Sequence, residues 1–192
     1  MSVGQNIIDT TYRKVIMHVL QWLSVEADDV DDAVSNVDSI LESYMGNGDS
    51  PSTWYDWYVV GGGRWNTAEN DDLDEAYKTK SNMVISYKED PNGFRAKIDE
   101  CITNRIDTYN EYYKEIEGKD VMAMFANYGG AMSYSLETYP FRNLLRFLDG
   151  DWFYDSKFFD LISDSTNATH ILSKLDNNQG ENFFLVPVDF HF

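Results

Sequence analysis

The sequence of 192 residues predicts a single α+β domain, in which a mainly antiparallel sheet has its helices packed on one face. Two segments have the three- and four-residue apolar spacing of helices, and several shorter segments are continuously apolar or alternate as strands do. Their order is strand, acidic helix, strand, strand, long helix, hairpin and final strand. This order suggests a ferredoxin-like core with additions.

The two helices have the clearest patterns. Apolar residues recur at three and four positions over 28–44, and aspartates crowd the first turns, where the helix dipole favours negative charge. A second apolar series predicts a long helix that runs from Phe94 to Ile116 and ends at Gly118.

Strands are predicted before, between and after these helices. The nearly continuous apolar run at 12–23 indicates a strand buried on both faces, with a short helix as the alternative. His18 interrupts one face of it, and a hydrogen-bonded core histidine is expected there in preference to a ligand. Residues 183–192 alternate as a terminal strand does, and Pro187 favours an edge position or a bulge there. Shorter strands are predicted at 54–60, 82–87 and 158–162.

The remaining segments differ in composition. Residues 66–81 are polar and acid-rich, which predicts an exposed loop, and residues 88–140 are predicted to form a helical insertion or subregion. Asp149-Gly150 suits a tight reversing turn, so a hairpin is predicted at 141–154.

The charge of the chain is one-sided, with 33 acidic against 15 basic residues and a net charge of −18. Such a surface repels phosphates, so direct nucleic-acid binding is not expected. It suits a basic host or phage protein, including one that normally holds nucleic acid; the alternative is that the acids only keep the protein soluble. The candidate docking residues lie on the first helix: Asp28, Asp29, Asp31, Asp32, Asp38 and Glu42.

Cysteine usage and hydropathy exclude further classes. The single cysteine, Cys101, excludes an internal disulfide, and its spacing with Ile98 and Ile102 predicts a buried, inert thiol. No apolar run approaches the ~18 residues of a membrane span, and the start of the chain lacks the pattern of a signal peptide. We therefore expect a cytoplasmic protein without a membrane partner, cofactor or metal.

The most unusual stretch is 54–65, which holds three of the five tryptophans, one acid, a glycine triplet and an arginine. The glycines predict positive φ angles or close approach by another group. Arg64 follows, so its guanidinium projects between indoles in a corner that suits a carboxylate, a phosphate or a nucleotide-like molecule. The alternative is that the tryptophans are core anchors and Arg64 pairs with Asp56. The candidate ligand-binding residues are Trp54, Asp56, Trp57, Gly62, Gly63, Arg64, Trp65, Asp189 and His191.

Asp189 and His191 share one face of the terminal strand because they are two residues apart. If that strand neighbours 54–60, both converge with Arg64 and Asp56 at one edge of the sheet. A histidine beside a carboxylate suits a general base. The alternatives are that Asp56, Asp189 and His191 hold a divalent metal, or that the terminal pair only pins the chain end.

Three separated motifs occur in order: 54–65, Asp149-Gly150-Asp151-Trp152, and the strand 184–191. Together they resemble a family of uncharacterised phage and bacterial proteins that carry a Trp-Asp-Trp-Tyr-x-x-Gly-Gly-Arg-Trp motif, an Asp-Gly-x-Trp hairpin and a C-terminal Val-Asp-Cys-His strand. This chain has an extra glycine in the first motif, and Phe190 replaces the cysteine. The resemblance implies a phage origin and a place in the host cytoplasm; it implies no activity.

Three functions are therefore expected, in decreasing order. The first is a phage accessory or anti-defence protein that inhibits a host protein through an acidic, nucleic-acid-mimicking surface. The second is a binding or sponge protein for a small ligand, such as a nucleotide signal. The third is a hydrolase that uses Asp189 and His191.

Overall fold

The computed structural model describes residues 18–44, 55, 57–67, 79–120, 123, 144 and 157–191. The predicted hairpin at 141–154 and most of the predicted loop at 66–81 lie outside these residues. The helices are α1 (Val30–Tyr44), α2 (Pro91–Ile116) and α3 (Thr169–Asp176), and a short 3-10 turn spans Gly63–Trp65. The strands are β1 (His18–Glu26), β2 (Trp57–Val60), β3 (Ile85–Ser86), β4 (Phe158–Asp160) and β5 (Phe183–His191).

β5 is the central strand of the sheet. It pairs antiparallel with β1 over its whole length, from His18 opposite His191 to Glu26 opposite Phe183. On its other side it pairs antiparallel with β2 and with β3. β4 pairs with β1 in parallel, which gives the order β2-β5-β1-β4 with β3 beside β5. The predicted α+β class with a mainly antiparallel sheet is confirmed.

Helices cover both faces of this sheet, so the predicted arrangement with helices on one face is wrong. On one face, Leu23 of β1 packs in a cluster with Val37 of α1. On the opposite face, Trp22 of β1 packs with Phe94 and Ile98 of α2. Successive strand residues point to opposite faces, and nearly every residue of β1 and β5 is buried, so each face needs its own cover. The arrangement therefore differs from a ferredoxin-like core with a single helical layer.

The acids at the start of α1 cap the helix. The side chain of Asp29 accepts a hydrogen bond from the Asp32 backbone N–H at 2.8 Å, and the Asp32 carboxylate accepts one from the Asp28 N–H at 3.0 Å. This is a reciprocal pattern of the capping-box kind, which satisfies N–H groups left open at a helix start. Asp29 and Asp32 thus have a structural role besides any contribution to the surface charge.

α2 begins three residues before the predicted start at Phe94 and ends as predicted before Gly118, which has a φ of +77°. Asp90 caps its start by accepting a hydrogen bond from the Gly93 N–H at 2.8 Å. Cys101 is buried on the inner face of α2, as predicted, and this burial raises the pKa of its thiol to about 12. A thiol with that pKa is a poor nucleophile at neutral pH.

Pro187 lies in a central strand whose pairing with β1 is unbroken, so the edge position or bulge predicted for it is wrong. The N–H of Trp22, which is opposite Pro187, donates to the carbonyl of Lys157 at 2.9 Å, away from β5. The backbone nitrogen and carbonyl of Pro187 therefore face away from β1, towards the edge of β5 that pairs with β2 and β3. Pro187 lies between the two segments of β5 that pair with these strands. Its carbonyl accepts from the Gly61 N–H at 2.8 Å, and its missing N–H falls in the gap between the two strands.

Candidate functional site

The strand register brings several candidate residues together at one end of the sheet. Trp57 of β2 and His18 of β1 both lie opposite His191 of β5, and Asp189 is two residues away on the same face. This is the face that carries α2. His18 lies four residues before Trp22, which packs on α2, and strand residues separated by an even number share a face. Two candidates, Trp54 and Asp56, lie outside the described residues.

The glycine triplet turns the chain back over this face. Gly61, Gly62 and Gly63 have φ angles of +92°, +88° and +47°, which confirms the predicted left-handed backbone. A Cβ atom on Gly63 would lie 2.8 Å from an Asp189 carboxylate oxygen, so the turn packs directly on that side chain. Asn66, the first residue of the predicted exposed loop, is instead buried, and its amide donates to the Gly61 carbonyl at 3.2 Å.

Arg64, His18 and Asp189 form a continuous hydrogen-bonded chain. Arg64 Nη2 lies 2.7 Å from His18 Nε2, and His18 Nδ1 lies 3.0 and 3.2 Å from the two Asp189 oxygens. A guanidinium can only donate, so His18 Nε2 must accept. His18 is therefore neutral, carries its proton on Nδ1 and donates it to Asp189.

Asp189 is the buried end of this chain, with no exposed surface. Burial raises the pKa of its carboxyl, while the hydrogen bond from His18 and the charge of Arg64 act in the opposite direction. Arg64 Nε is 3.7 Å from the carboxylate, although 48% of the arginine side chain is exposed. Asp189 is thus an ion-pair partner of Arg64, the role that the alternative interpretation of the sequence gave to Asp56.

Aromatic rings surround the chain. The Trp57 indole stacks on the His191 ring with centroids 4.8 Å apart and an angle of 11°, and it meets His18 edge-on at 5.2 Å. The guanidinium of Arg64 lies 5.8 Å from the centre of the Trp65 ring. Trp57 is 38% exposed, so it is not the core anchor of the alternative interpretation. We call His18, Trp57, Arg64, Trp65, Asp189 and His191 the Arg64 corner.

His18 belongs to the corner, although its place in an apolar strand predicts a core histidine. Its side chain is only 6% exposed and hydrogen-bonded, as predicted, but its partners are the site residues Arg64 and Asp189. The available signal was a polar residue interrupting an apolar strand. Both ring nitrogens are engaged, so His18 cannot accept a proton from a substrate while Arg64 remains bound to it.

The general-base and metal interpretations find limited support. In the part of the chain that the structure describes, no three His, Cys, Asp or Glu side chains are placed to hold a metal ion. The predicted metal set included Asp56, which lies outside that part. The histidine hydrogen-bonded to Asp189 at 3.0 Å is His18, whereas the hydrolase hypothesis used His191.

A second buried carboxylate, Asp160, was not identified from the sequence. It accepts hydrogen bonds from Ser24 at 2.7 Å and Ser163 at 2.5 Å, and His170 Nδ1 lies 2.9 Å away. These residues belong to β1, the turn after β4, and α3. The cluster therefore joins three elements at the other end of β1, which fits a structural role.

The candidate docking acids have different environments. Asp38 lies 3.5 Å from Lys80, while Asp28, Asp29, Asp31 and Glu42 are exposed. Beside the start of α1 is a cleft of about 380 Å³ in which acids outnumber the single lysine. Its charged lining residues are Asp28, Asp29, Lys88, Glu89 and Glu181.

No protein-family model matches the chain, and searches among curated proteins and solved structures each found no match. None of the described helices combines the length and the apolar character needed to cross a bilayer. Function is therefore inferred from the chemistry of the site.

Substitution of Gly63 tests the packing of the turn on Asp189. We expect Gly63→Ala to lower the free energy of unfolding by roughly 1–3 kcal/mol more than Gly118→Ala, because both strain a left-handed backbone but only Gly63 adds overpacking. Gly118 also has a positive φ, and a Cβ there meets nothing within 4 Å. Urea denaturation of both variants measures the difference; equal losses would contradict the contact.

Proposed function

We propose that this protein binds a small anionic ligand with a planar ring, of the nucleotide class, at the Arg64 corner. The observation that supports this is a half-exposed arginine held in place by two nearly buried side chains, His18 and Asp189. Arginine is the preferred side chain for binding phosphate and carboxylate groups, and its fixed orientation lowers the entropy cost of binding.

The neighbouring indoles suit the ring of such a ligand. Trp57 exposes 38% of its surface while stacking on His191, so the indole is fixed and still accessible. Base–aromatic stacking contributes about 1–3 kcal/mol per base. The net charge of −18 disfavours anions at long range, but physiological salt screens charges beyond about 8 Å, so contacts within the corner decide affinity.

A place in the host cytoplasm and a phage origin belong to this proposal, and both depend on the resemblance in the three sequence motifs. In the host cytoplasm, a protein that only binds a nucleotide signal would act by lowering the free concentration of that nucleotide. The hydrolase hypothesis has less support, because both ring nitrogens of His18 are already engaged by Arg64 and Asp189.

Arg64→Gln tests the ligand hypothesis. It should weaken binding of a nucleoside monophosphate by about 10- to 100-fold in titration calorimetry, since it removes charge-assisted hydrogen bonds worth about 1.5–3 kcal/mol. Trp57→Ala should weaken binding less, by the loss of ring stacking.

Arg95→Gln is the matched control, because Arg95 is also partly exposed and ion-paired, but to Asp176 on α3. It should leave the affinity unchanged. Equal affinities of the Arg64 and Arg95 variants would contradict the hypothesis, as would the absence of binding by any nucleotide.

The acidic cleft beside α1 favours a second candidate, the capture of a basic host or phage protein. At least four carboxylates line or border this cleft against one lysine, and their exposed positions suit lysine and arginine side chains of a partner. Inhibition of that partner by mimicry of nucleic acid would follow from the same charge pattern.

A charge-neutralising triple variant tests this second candidate. Asp28→Asn, Glu89→Gln and Glu181→Gln together should strongly weaken salt-sensitive capture of a basic protein, because they neutralise three of the four cleft acids and leave the capping residues Asp29 and Asp32 intact. Capture is measured by pull-down at low and high salt. The control variant removes the same charge from three exposed acids of α2: Asp107→Asn, Glu111→Gln and Glu115→Gln. Equal capture by the two triple variants would contradict the candidate.

A further inference from the structure

A cavity of about 240 Å³ adjoins the Arg64 corner on the face of the sheet that carries α2. It lies between β1 and α2, and it shares two lining residues, His18 and Trp65, with the corner. Pockets for complete drug-sized ligands measure about 300–1,000 Å³, so this smaller cavity suits a single ring system that extends from a group bound at the corner. The polar and aromatic residues that line it are His18, Trp22, Trp65, Glu100, Asn104 and Lys157.

Lys157 is the unmatched charge of this cavity. The charge of Glu100 is already matched by Lys97, whose ammonium lies 2.6 Å from it and 5.0 Å from the centre of the Trp22 ring. Within the described part of the chain, neither the Lys157 ammonium nor the Asn104 side-chain amide has a hydrogen bond or ion pair. Among the described residues, the cavity thus contains one cation and one amide without a partner, in a protein with 33 acids.

The position of Lys157 is fixed by the sheet. Its carbonyl accepts a hydrogen bond from the Trp22 N–H at 2.9 Å, and Arg64 Nη2 lies 2.7 Å from His18 Nε2. His18 and Trp22 are four residues apart on β1, which corresponds to roughly 13 Å along an extended strand. Arg64 and the backbone of Lys157 therefore contact β1 at two positions roughly 13 Å apart, and the cavity is lined by β1 residues from His18 to Trp22 between them.

We propose that this cavity receives the base of a nucleoside phosphate whose phosphate lies on Arg64, and that Lys157 and Asn104 select guanine over adenine. This inference rests on the proposed function and specifies its ligand. A lysine ammonium only donates hydrogen bonds. Guanine presents the acceptors O6 and N7 on one edge, whereas adenine presents an amino donor beside N7. Trp65 provides the aromatic surface against which the base stacks.

The test compares guanosine monophosphate, adenosine monophosphate and ribose 5-phosphate by calorimetry on the full chain at one fixed salt concentration. The unsubstituted protein should bind the guanosine nucleotide about tenfold more tightly than the adenosine nucleotide. Lys157→Met should remove this preference and leave the affinity for ribose 5-phosphate unchanged, because the phosphate contact is at Arg64. Lys174→Met, at a half-buried lysine of α3 outside the cavity, is the matched control and should retain the preference.

Asn104→Asp is a second, exposed substitution that places a carboxylate beside the keto oxygen, and it should weaken binding of the guanosine nucleotide selectively. A preference that survives both Lys157→Met and Asn104→Asp would overturn the assignment of the cavity, while loss of all binding in Arg64→Gln would still support the corner. Undiminished binding of all three ligands by Arg64→Gln would overturn the proposed function itself. Failure of the unsubstituted protein to bind any of the three would overturn both.

Discussion

The antiparallel pairing of β1 with β5 is the interaction on which the other features depend. It extends from His18 opposite His191 to Glu26 opposite Phe183, and every residue of β5 is buried. Because both strands bury side chains on both faces, α1 is required on one face and α2 with α3 on the other. The apolar middle of this ladder stabilises the fold, and its polar end carries the Arg64 corner.

Polar residues at that end incur a desolvation cost that the corner offsets by hydrogen bonding. Asp189 is fully buried, and an isolated carboxylate there would be strongly destabilising. His18 donates to it and Arg64 lies within ion-pair distance, so the charge is shared along a chain that reaches the surface. The outermost member is the arginine, which is therefore held rigidly and remains accessible. The turn that positions Arg64 contains three consecutive glycines with positive φ angles, a conformation that other residues rarely adopt.

Local patterns in the sequence were sufficient for some elements and not for others. The spacing of apolar residues predicted α1, α2 and the terminal strand, and the glycine triplet predicted positive φ angles, because each depends on neighbours within a few residues. The sequence did not indicate that Pro187 lies opposite Trp22, since strand partners are determined by contacts distant in sequence. For the same reason His18 was assigned to the core: only the register with β5 brings it to Asp189.

The charged residues show the same limit. Asp38 was expected on a helix face without bases, but Lys80 approaches it from a segment 42 residues later, at 3.5 Å. Asp29 and Asp32 looked like surface charge and are also capping groups. Composition therefore predicts the sign of the net charge. The number of acids available to a partner depends on contacts that only the fold defines.

The most direct test of this account is the tautomer of His18, measured by long-range ¹H–¹⁵N NMR correlation at neutral pH. The Arg64–His18–Asp189 chain requires a neutral ring with the proton on Nδ1 and an unprotonated Nε2, and Arg64→Gln should alter the Nε2 shift. A ring protonated on Nε2, whether neutral or cationic, could not accept the hydrogen bond from Arg64. That result would contradict the arrangement from which the proposed binding site is inferred.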